Sequence, residues 1–368
     1  MKHAVVVGGG IVGAACADAA ARAGWRVTVL DPNPVGSGAT AAGMGHLVVM
    51  DDSAAQLALT ARSVELWREL APHLPATAEY RACGTLWIAQ DAQELHGAHE
   101  KHAALTEAGV HAETLDGHAL KRLEPHLRHG LAGGLRVPGD AVVYAPQVAE
   151  FLLQRAGAVV APAEAAGLER GGVRLTDGSM LRADLIVLAA GVRAAKLAPE
   201  LPIRARKGHL VITDRHAPSV QHQLVELGYL NSVHGSTDDS VAFNVQPRPT
   251  GQLLIGSSRQ FGHDDRDIHW PLLRRMLDRA VAFLPALRHV NALRIWTGQR
   301  AATPDHLPLI GPHPDRAGVF VACGHEGLGV TTALATAELL RHHLTDAPTP
   351  LDPRAYAPAR LTQEAMHA

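Results

Sequence analysis

The chain has 368 residues, of which 47% are hydrophobic, and its formal net charge is -2. This length allows one large unit or two interleaved domains, and the near-neutral charge argues against a nucleic acid or an anionic membrane surface as partner. No apolar run is long enough to span a bilayer and no charged segment precedes a signal-like core, so we expect a cytoplasmic protein.

Cysteine and histidine spacing predicts no metal site. Cys16, Cys83 and Cys323 lie far apart, which favours a reducing compartment and argues against a disulfide framework or an iron–sulfur cluster. The 23 histidines show no spacing typical of metal ligands. His342 and His343 are adjacent and would point in different directions on a helix, so we expect them at the surface.

The first 31 residues predict a dinucleotide-binding unit. A buried strand at Ala4–Val7 precedes glycines in the GxGxxG spacing, at Gly8, Gly10 and Gly13. An alanine-rich helix follows, and then a second strand at Trp25–Leu30 that ends at Asp31. The glycines allow a tight turn, close approach of a pyrophosphate and close packing of helix on strand, while the acid can bind a ribose hydroxyl. The alternative, an ordinary glycine-rich turn, would not need the helix, the second strand and the acid that follow. These residues do not indicate which dinucleotide binds.

Residues 32–191 contain a second small-residue loop followed by alternating helices and strands. Small residues fill 32–45, and a helix with N-cap candidates at Asp51, Asp52 and Ser53 runs to Pro72. We predict a strand at 84–89, mixed helix and loop to about 134, a helix at 146–156 and a buried parallel strand at 183–191.

Beyond Arg204 the pattern changes to short strands separated by turns. We predict strands at 208–213, 241–246 and 252–256, with a hairpin at 247–251, and a helix at 270–284. The last part of the chain returns to the dinucleotide-binding fold, with a predicted strand at 318–322, a glycine-rich turn at 324–329 and a helix at 331–344. The predicted domains are therefore interleaved: 1–83, 146–204 and 296–345 bind the dinucleotide, 84–145 and 205–295 bind substrate, and 346–368 form a surface tail.

Four separated segments carry a resemblance to a known family. The N-terminal unit, Ala39–Met44, Trp296–Arg300 and Gly324–Gly329 resemble the D-amino-acid oxidase superfamily, which includes glycine oxidase, sarcosine oxidase and D-amino-acid dehydrogenases. Through Gly324–Gly329 and Ala301–Asp305 the chain is most similar to flavin-bearing β subunits of D-hydroxyproline dehydrogenase, opine dehydrogenases and hydrogen cyanide synthase. The resemblance implies an α/β fold of the glutathione-reductase-2 type, with a Rossmann-like FAD-binding domain and an interleaved, mostly antiparallel α+β substrate domain.

FAD is the cofactor that the resemblance implies. The second small-residue loop and the turn at 324–329 support it, because a nicotinamide enzyme needs only one glycine-rich phosphate loop; a simple strand-to-helix turn at 324–329 is the alternative. Gly298 stands where sarcosine oxidase carries the cysteine bound to its flavin, so we expect non-covalent FAD. The expected cofactor contacts are Gly8, Gly10, Ile11, Val12, Gly13, Asp31, Pro32, Thr40, Ala41, Gly43, Met44, Gly45, Val160, Ala190, Gly191, Gly324, Glu326, Gly327, Leu328, Gly329 and Val330.

Arg300 is the expected substrate clamp, since it matches the carboxylate-binding arginine that follows the family's Trp-x-Gly motif and can donate two parallel hydrogen bonds. A surface arginine at a strand end is the alternative. Met44 matches a methionine packed near the flavin of glycine oxidase, although it could equally fill the core. His46 and His325 could hydrogen-bond the flavin or tune substrate protonation, or could be structural.

Two further positions bear on the substrate. Asn244 and Arg259 stand where glycine oxidase places a tyrosine and a methionine beside its substrate. Arg259 could meet a second carboxylate or a ring hydroxyl, or could turn to solvent. Leu254 replaces the oxygen-activating lysine of sarcosine oxidase, which weakens a fast-oxidase interpretation. Cys323 is expected to be a buried apolar residue without catalytic function.

These residues predict an FAD-dependent dehydrogenase that oxidises a primary or secondary amine next to a carboxylate to the imine. A D-imino acid such as D-hydroxyproline is the first substrate, opines are the second, and glycine or sarcosine oxidase activity is a further alternative. Electrons would pass to a partner subunit or to a quinone, which could hold the protein at the inner membrane. The chain could also be a flavin subunit that is inactive outside a hetero-oligomeric complex.

Overall fold

Alternating apolar segments build nineteen named strands and nine helices in the computed structural model, which describes residues 1–228, 239–263 and 265–361. The strands are β1 (His3–Val7), β2 (Arg26–Leu30), β3 (His46–Leu47), β4 (Thr85–Ala89), β5 (Glu113–Asp116), β6 (Gly133–Val137), β7 (Ala141–Val142), β8 (Val159–Ala161), β9 (Ala165–Glu169), β10 (Gly172–Leu175), β11 (Met180–Arg182), β12 (Leu185–Leu188), β13 (Arg204–Thr213), β14 (Gln223–Glu226), β15 (Ser240–Pro247), β16 (Leu253–Phe261), β17 (Ala292–Ala302), β18 (Leu309–Pro312) and β19 (Val319–Cys323).

The helices are α1 (Ile11–Arg22), α2 (Ala39–Ala42), α3 (Ala54–Leu70), α4 (Ala92–Glu107), α5 (Gly117–Leu123), α6 (Ala145–Arg155), α7 (Ala194–Leu197), α8 (Trp270–Phe283) and α9 (Gly329–Thr345). Within the described ranges, no helix is long and apolar enough to cross a membrane. The same ranges hold no group of three or more histidine, cysteine or acidic side chains that could bind a metal.

A six-stranded sheet has the order β18–β19–β12–β1–β2–β8. Its strands are parallel except at the β18 edge. Because both faces are covered, β1 and β12 are apolar and buried along their whole length. The predicted strand at 183–191 is shorter than expected, since the small residues after Leu188 form the turn against which Gly8 packs.

An eight-stranded sheet has the order β17–β13–β16–β15–β14–β4–β6–β5. Its described neighbours are antiparallel, apart from the parallel pair β14 and β4. Alternation along β15 sends Phe243 toward α8, where its ring stacks on Phe283 with centroids 4.3 Å apart. Asn244 and its alternate neighbours therefore lie on the opposite face.

The chain passes between the two sheets several times, and this produces the α/β architecture of two interleaved regions expected from the sequence. Strand β17 spans the predicted domain limit at 295/296 and pairs with β13 along its length; the domain limits themselves stay a prediction. In the predicted tail, Tyr356 is buried and donates to the carbonyl of Ala55 at 2.8 Å. Residues 362–368 lie outside the described residues.

Candidate active site

The phosphate loop between β1 and α1 requires glycine for steric reasons. Gly8 has φ +114°, and a Cβ there would collide with the carbonyl oxygen of Ala189. A Cβ at Gly13 would collide with the carbonyl oxygen of Gly8. The first and third glycines thus let the loop, the helix and the neighbouring strand end approach one another, as dinucleotide binding requires.

Asp31 and Thr40 bring two further segments to the start of α1. Asp31 Oδ2 accepts from the amide of Gly9 at 2.8 Å, and Thr40 Oγ1 accepts from the amide of Ile11 at 3.0 Å. The second small-residue loop therefore lies on the N-terminus of the first helix. This helix end, with its positive partial charge, can bind the pyrophosphate of FAD.

The β2–β8 edge is the candidate position for the adenosine half of the cofactor. The amide of Asp31 donates to the carbonyl of Ala161 at 3.2 Å, which joins the end of β2 to β8. Val160, the adjacent residue of β8, is 40% exposed. An exposed apolar residue next to the acid at the end of the second strand suits an adenine ring and its ribose.

The N-terminus of α9 meets that of α1. A Cβ on Gly329 would lie 3.8 Å from Cγ2 of Val12. Gly324 has φ +78°, and a Cβ there would lie 2.6 Å from Cγ2 of Thr303, so the turn also requires glycine. The N-termini of the two helices therefore lie close together. The space in front of them, called the groove below, is the candidate site for the phosphates and the anionic reduced ring of a flavin.

The loop after α2 lies between this groove and the large sheet. Met44 Sδ would lie 3.2 Å from a Cβ on Gly256, so methionine and strand β16 are in close proximity. A Cβ on Gly298 would lie 2.6 Å from the Cβ of Ala42. Position 298 therefore has no room for a cysteine side chain, which agrees with non-covalent cofactor binding.

The two predicted histidines have different surroundings. His46 Nε2 is buried with no hydrogen-bond partner among the described residues, and burial lowers the pKa of His46 to about 4. A neutral imidazole with an unpartnered nitrogen at this loop fits a polar atom of the flavin. His325 Nε2 instead bonds Thr336 Oγ1 at 3.0 Å, and burial lowers its pKa to about 3. The side chain of His325 thus points into α9, which favours a structural function.

Arg300 lies on the face of the large sheet opposite α8. Its Nη1 donates to the carbonyl of Ser258 at 3.1 Å, and a Cβ on Gly327 would lie 3.6 Å from its Nε. The guanidinium crosses over Gly208, where a Cβ would lie 2.8 Å from Nη2. The structure therefore places this arginine between strand β16 and the turn at 324–329.

Asn244 and Arg259 lie on the same face as Arg300. Asn244 pairs in register with Gly256, and its Oδ1 is buried without a hydrogen-bond partner among the described residues. Arg259 is 6% exposed and lies two residues before Phe261, whose ring packs on the guanidinium of Arg206. The charge of Arg259 also helps to lower the pKa of Glu326, the partner of Arg206, so it lies on the side of Arg206 and Arg300. Burial excludes the alternative in which Arg259 turns to solvent.

Arg206 and His306 are polar residues of this region that the sequence did not indicate. Arg206 pairs in register with Arg300 and forms an ion pair with Glu326. His306 Nδ1 donates to the second oxygen of Glu326 at 3.1 Å. Neither residue belongs to a motif, and only the pairing of β13 with β17 brings Arg206 here. Glu326, expected as a cofactor contact, thus directs its side chain to these two residues.

Comparison with known proteins decides the family. The family model described as "FAD dependent oxidoreductase" (DAO) matches residues 3–343. The chain belongs to this family. FAD is thus its cofactor, and the predicted resemblance to the D-amino-acid oxidase superfamily is confirmed.

Relatives of this FAD-dependent oxidoreductase are similar over almost the whole chain. It is 26% identical to hydrogen cyanide synthase subunit HcnC of Pseudomonas aeruginosa, covering 98% of this chain and 96% of that protein. It is 27% identical to glycine oxidase of Geobacillus kaustophilus, over 92% and 93% of the two chains. The crystal structure of glycine oxidase from that organism superposes with a TM-score of 0.86, at 26% identity and with 97% and 98% coverage. The L-proline dehydrogenase structure from P. horikoshii has a TM-score of 0.85 at 23% identity and shows the shared fold, covering 98% and 97% of the two chains.

Proposed function

We propose that this protein is an amino-acid dehydrogenase that oxidises the C–N bond of an amine next to a carboxylate to the imine. The observation that carries the proposal is the place of Arg300 on the sheet face, against Gly327 of the turn that begins α9. A carboxylate held there would lie beside the groove that fits the flavin. The names of two relatives, glycine oxidase and hydrogen cyanide synthase subunit HcnC, support amine chemistry.

Arg300 would bind and orient the substrate. A guanidinium has five N–H donors in a planar fork, so it can hold a carboxylate through two bonds while Nη1 stays on Ser258. Bound FAD supplies a two-electron acceptor for the hydride of the substrate carbon. Fixing the carboxylate limits the orientations of the adjacent carbon, and this contributes to the rate by lowering the entropy cost of the reaction.

Polar groups around the substrate carbon would hold the amine. Asn244 Oδ1 can accept a hydrogen bond from a substrate N–H or O–H, because it is buried and unpartnered among the described residues. His46, with a pKa of about 4 caused by burial, stays neutral at pH 7 and adds no positive charge that would repel an amine. Met44 would contribute an apolar wall next to Gly256.

A D-imino acid with a ring hydroxyl, such as D-hydroxyproline, is the substrate that we propose first. Its ring N–H and hydroxyl would match the acceptor of Asn244 and the donors of Arg259. Opines are the second candidate, because Arg259 is buried on the same face as Arg300 and could bind a second carboxylate. The two differ in charge, so a substrate panel distinguishes them.

We propose a partner subunit or a quinone as electron acceptor, with oxygen a slow one. Leu254 is buried at the position where the resemblance expects the lysine of sarcosine oxidase. Glycine or sarcosine oxidase activity remains an alternative, as does a flavin subunit that requires its complex for turnover. We propose a cytoplasmic location, with electron-transfer partners as the route to a membrane.

Anaerobic mixing of the purified holoenzyme with D-amino acids, imino acids and opines tests the proposal. Bleaching of the flavin band by one substrate class, without partner proteins, is the expected result. R300A should lower kcat/KM for that substrate by about 100-fold, since a charge-assisted bidentate pair is lost. Unchanged KM and turnover in R300A would show that the clamp is assigned wrongly, and no bleaching by any substrate would favour the complex-dependent subunit.

A further inference from the structure

Glu326 lies between Arg206 and His306 inside the candidate site and bonds both side chains. One carboxylate oxygen pairs with Arg206 and the other accepts from His306 Nδ1 at 3.1 Å. Burial alone would raise the pKa of Glu326, but His306 and Arg206 hold it at about 2, so this side chain is ionised. An ionised carboxylate in a turn expected to face an anionic flavin is unfavourable unless cations balance it.

The Arg206–Glu326 pair lies next to the proposed substrate clamp, Arg300, on two elements. Arg206 and Arg300 are cross-strand neighbours in the register of β13 and β17. Glu326 pairs with Arg206, while the next residue, Gly327, lies against Arg300. The turn thus touches both arginines of the pair with two consecutive residues.

Backbone and packing hold these groups in one arrangement. Glu326 and His306 both adopt left-handed backbone, with φ of +49° and +60°, which is uncommon for residues other than glycine. The guanidinium of Arg206 is 1% exposed and lies 4.5 Å from the centroid of the Phe261 ring. Like charges directly opposite on two strands repel, so a carboxylate that pairs with one of them stabilises the pair.

We propose that Glu326 is a positioning residue that balances the charge of Arg206, and so leaves Arg300 as the cation that meets the substrate carboxylate. This inference rests on the proposed function, because it places the flavin ring and the carboxylate at this turn. It assigns Glu326 a side-chain function in addition to the backbone contact expected from the sequence.

The test uses two readouts on holoenzyme with bound FAD: the midpoint potential of the flavin, and the affinity for acetate measured from the flavin absorbance. E326Q removes a negative charge, so the potential should become more positive and acetate should bind about fivefold to tenfold more tightly. R206Q removes a positive charge, so both quantities should change in the opposite direction. The double variant R206Q/E326Q should return both close to the wild-type values.

Changes of opposite sign in E326Q and R206Q would indicate charge balance. A structural function of Glu326 would instead weaken acetate binding in both single variants. That weakening, or an unchanged potential in both, would contradict the proposal. If E326Q yields no holoenzyme, the step from R206Q to R206Q/E326Q measures the same charge change. E338Q is the matched control, since Glu338 of α9 is buried and ion-paired with Arg62 of α3, and neither readout should change.

R300A separates this inference from the proposed function. If R300A binds acetate as well as the wild type does, the clamp is wrong, whatever the Glu326 variants show. If R300A loses acetate binding while E326Q and R206Q shift in the same direction, the clamp stands and charge balance by Glu326 is wrong.

Discussion

At the residue scale, the site depends on positions where a side chain is absent as much as on those where one acts. Arg300 reaches Ser258 by crossing Gly208, which has an ordinary strand conformation and no place in a motif. The sequence indicates Arg300 through its neighbourhood in the Trp-x-Gly segment. It does not indicate Gly208, because the need for glycine arises from an atom 92 residues later in the chain.

We expect G208A to displace the Arg300 guanidinium. A methyl group there would collide with Nη1 and lie 2.8 Å from the carbonyl oxygen of Ser258. KM for the carboxylate substrate should rise about tenfold, while FAD content stays at the wild-type level. G167A is a control, because a Cβ at Gly167 meets nothing within 4 Å. Equal KM values in both variants would contradict this expectation.

Asp140 should make stability depend on pH. It is fully buried, and burial raises its pKa to about 7, although it accepts from the amide of Val49 at 3.2 Å. The unfolded chain ionises near the usual value of about 3.9. The folded state therefore binds more protons between these values, and stability from this group is lost as pH rises from about 4 to 7.

D140N removes that titration and tests its sign. The melting temperature of the variant, relative to the wild type, should increase between pH 5 and pH 8. D177N is the control, because Asp177 is exposed in a turn. Its melting temperature relative to the wild type should not rise between pH 5 and pH 8. A D140N difference that stays flat over this range would mean that Asp140 is already ionised in the folded protein at pH 5.

At the element scale, periodicity predicted the secondary structure well where local signals were strong. Ser53 caps α3 by accepting from the amide of Gln56 at 3.1 Å, as its position before an apolar helix indicated. The hairpin at 247–251 joins β15 to β16, with Arg248 and Gln252 hydrogen-bonded. Helix α9 begins at Gly329, two residues before the predicted start, since its first turn is formed by packing on α1 and not by propensity.

The prediction at the scale of elements concerns the packing of helix α1 on the phosphate loop. G13A should bind FAD at least tenfold more weakly, because a Cβ would collide with the carbonyl oxygen of Gly8 and push the helix N-terminus from the phosphate loop. The FAD-to-protein absorbance ratio after purification measures this loss. G97A, in a helix where a Cβ meets nothing within 4 Å, should retain the cofactor. A G13A variant with full FAD content would contradict the steric argument.

At the scale of the whole molecule, the candidate site lies where the two sheets meet. Thr331 at the start of α9 accepts through its carbonyl from Ser63 Oγ and from Trp67 Nε1 at 2.9 Å, and its hydroxyl donates to the carbonyl of His46 at 2.8 Å. These bonds fix the start of α9, directly after the turn at 324–329, against α3 and β3. A cofactor in this groove would therefore stabilise contacts among several elements.

Removal of FAD should lower the melting temperature by several degrees, and FAD at 100 times its Kd should restore about 2.7 kcal/mol. FMN should restore less, because it lacks the adenosine half that Asp31 and Val160 are proposed to bind. Differential scanning calorimetry of the apoprotein with each flavin measures the effect. Equal recovery with FMN would contradict the assignment of the β2–β8 edge to adenosine.

The sequence by itself determined the fold class and the FAD-dependent family and indicated Arg300 as the proposed clamp, because each rests on a local pattern. Strand, glycines, helix and acid lie within 31 consecutive residues, and Arg300 lies within a short motif. Only the tertiary structure decided that Arg259 is buried, that His325 points into α9, and that Glu326 bonds both Arg206 and His306. These facts depend on strand register and on contacts between residues up to 120 positions apart, which no local pattern records.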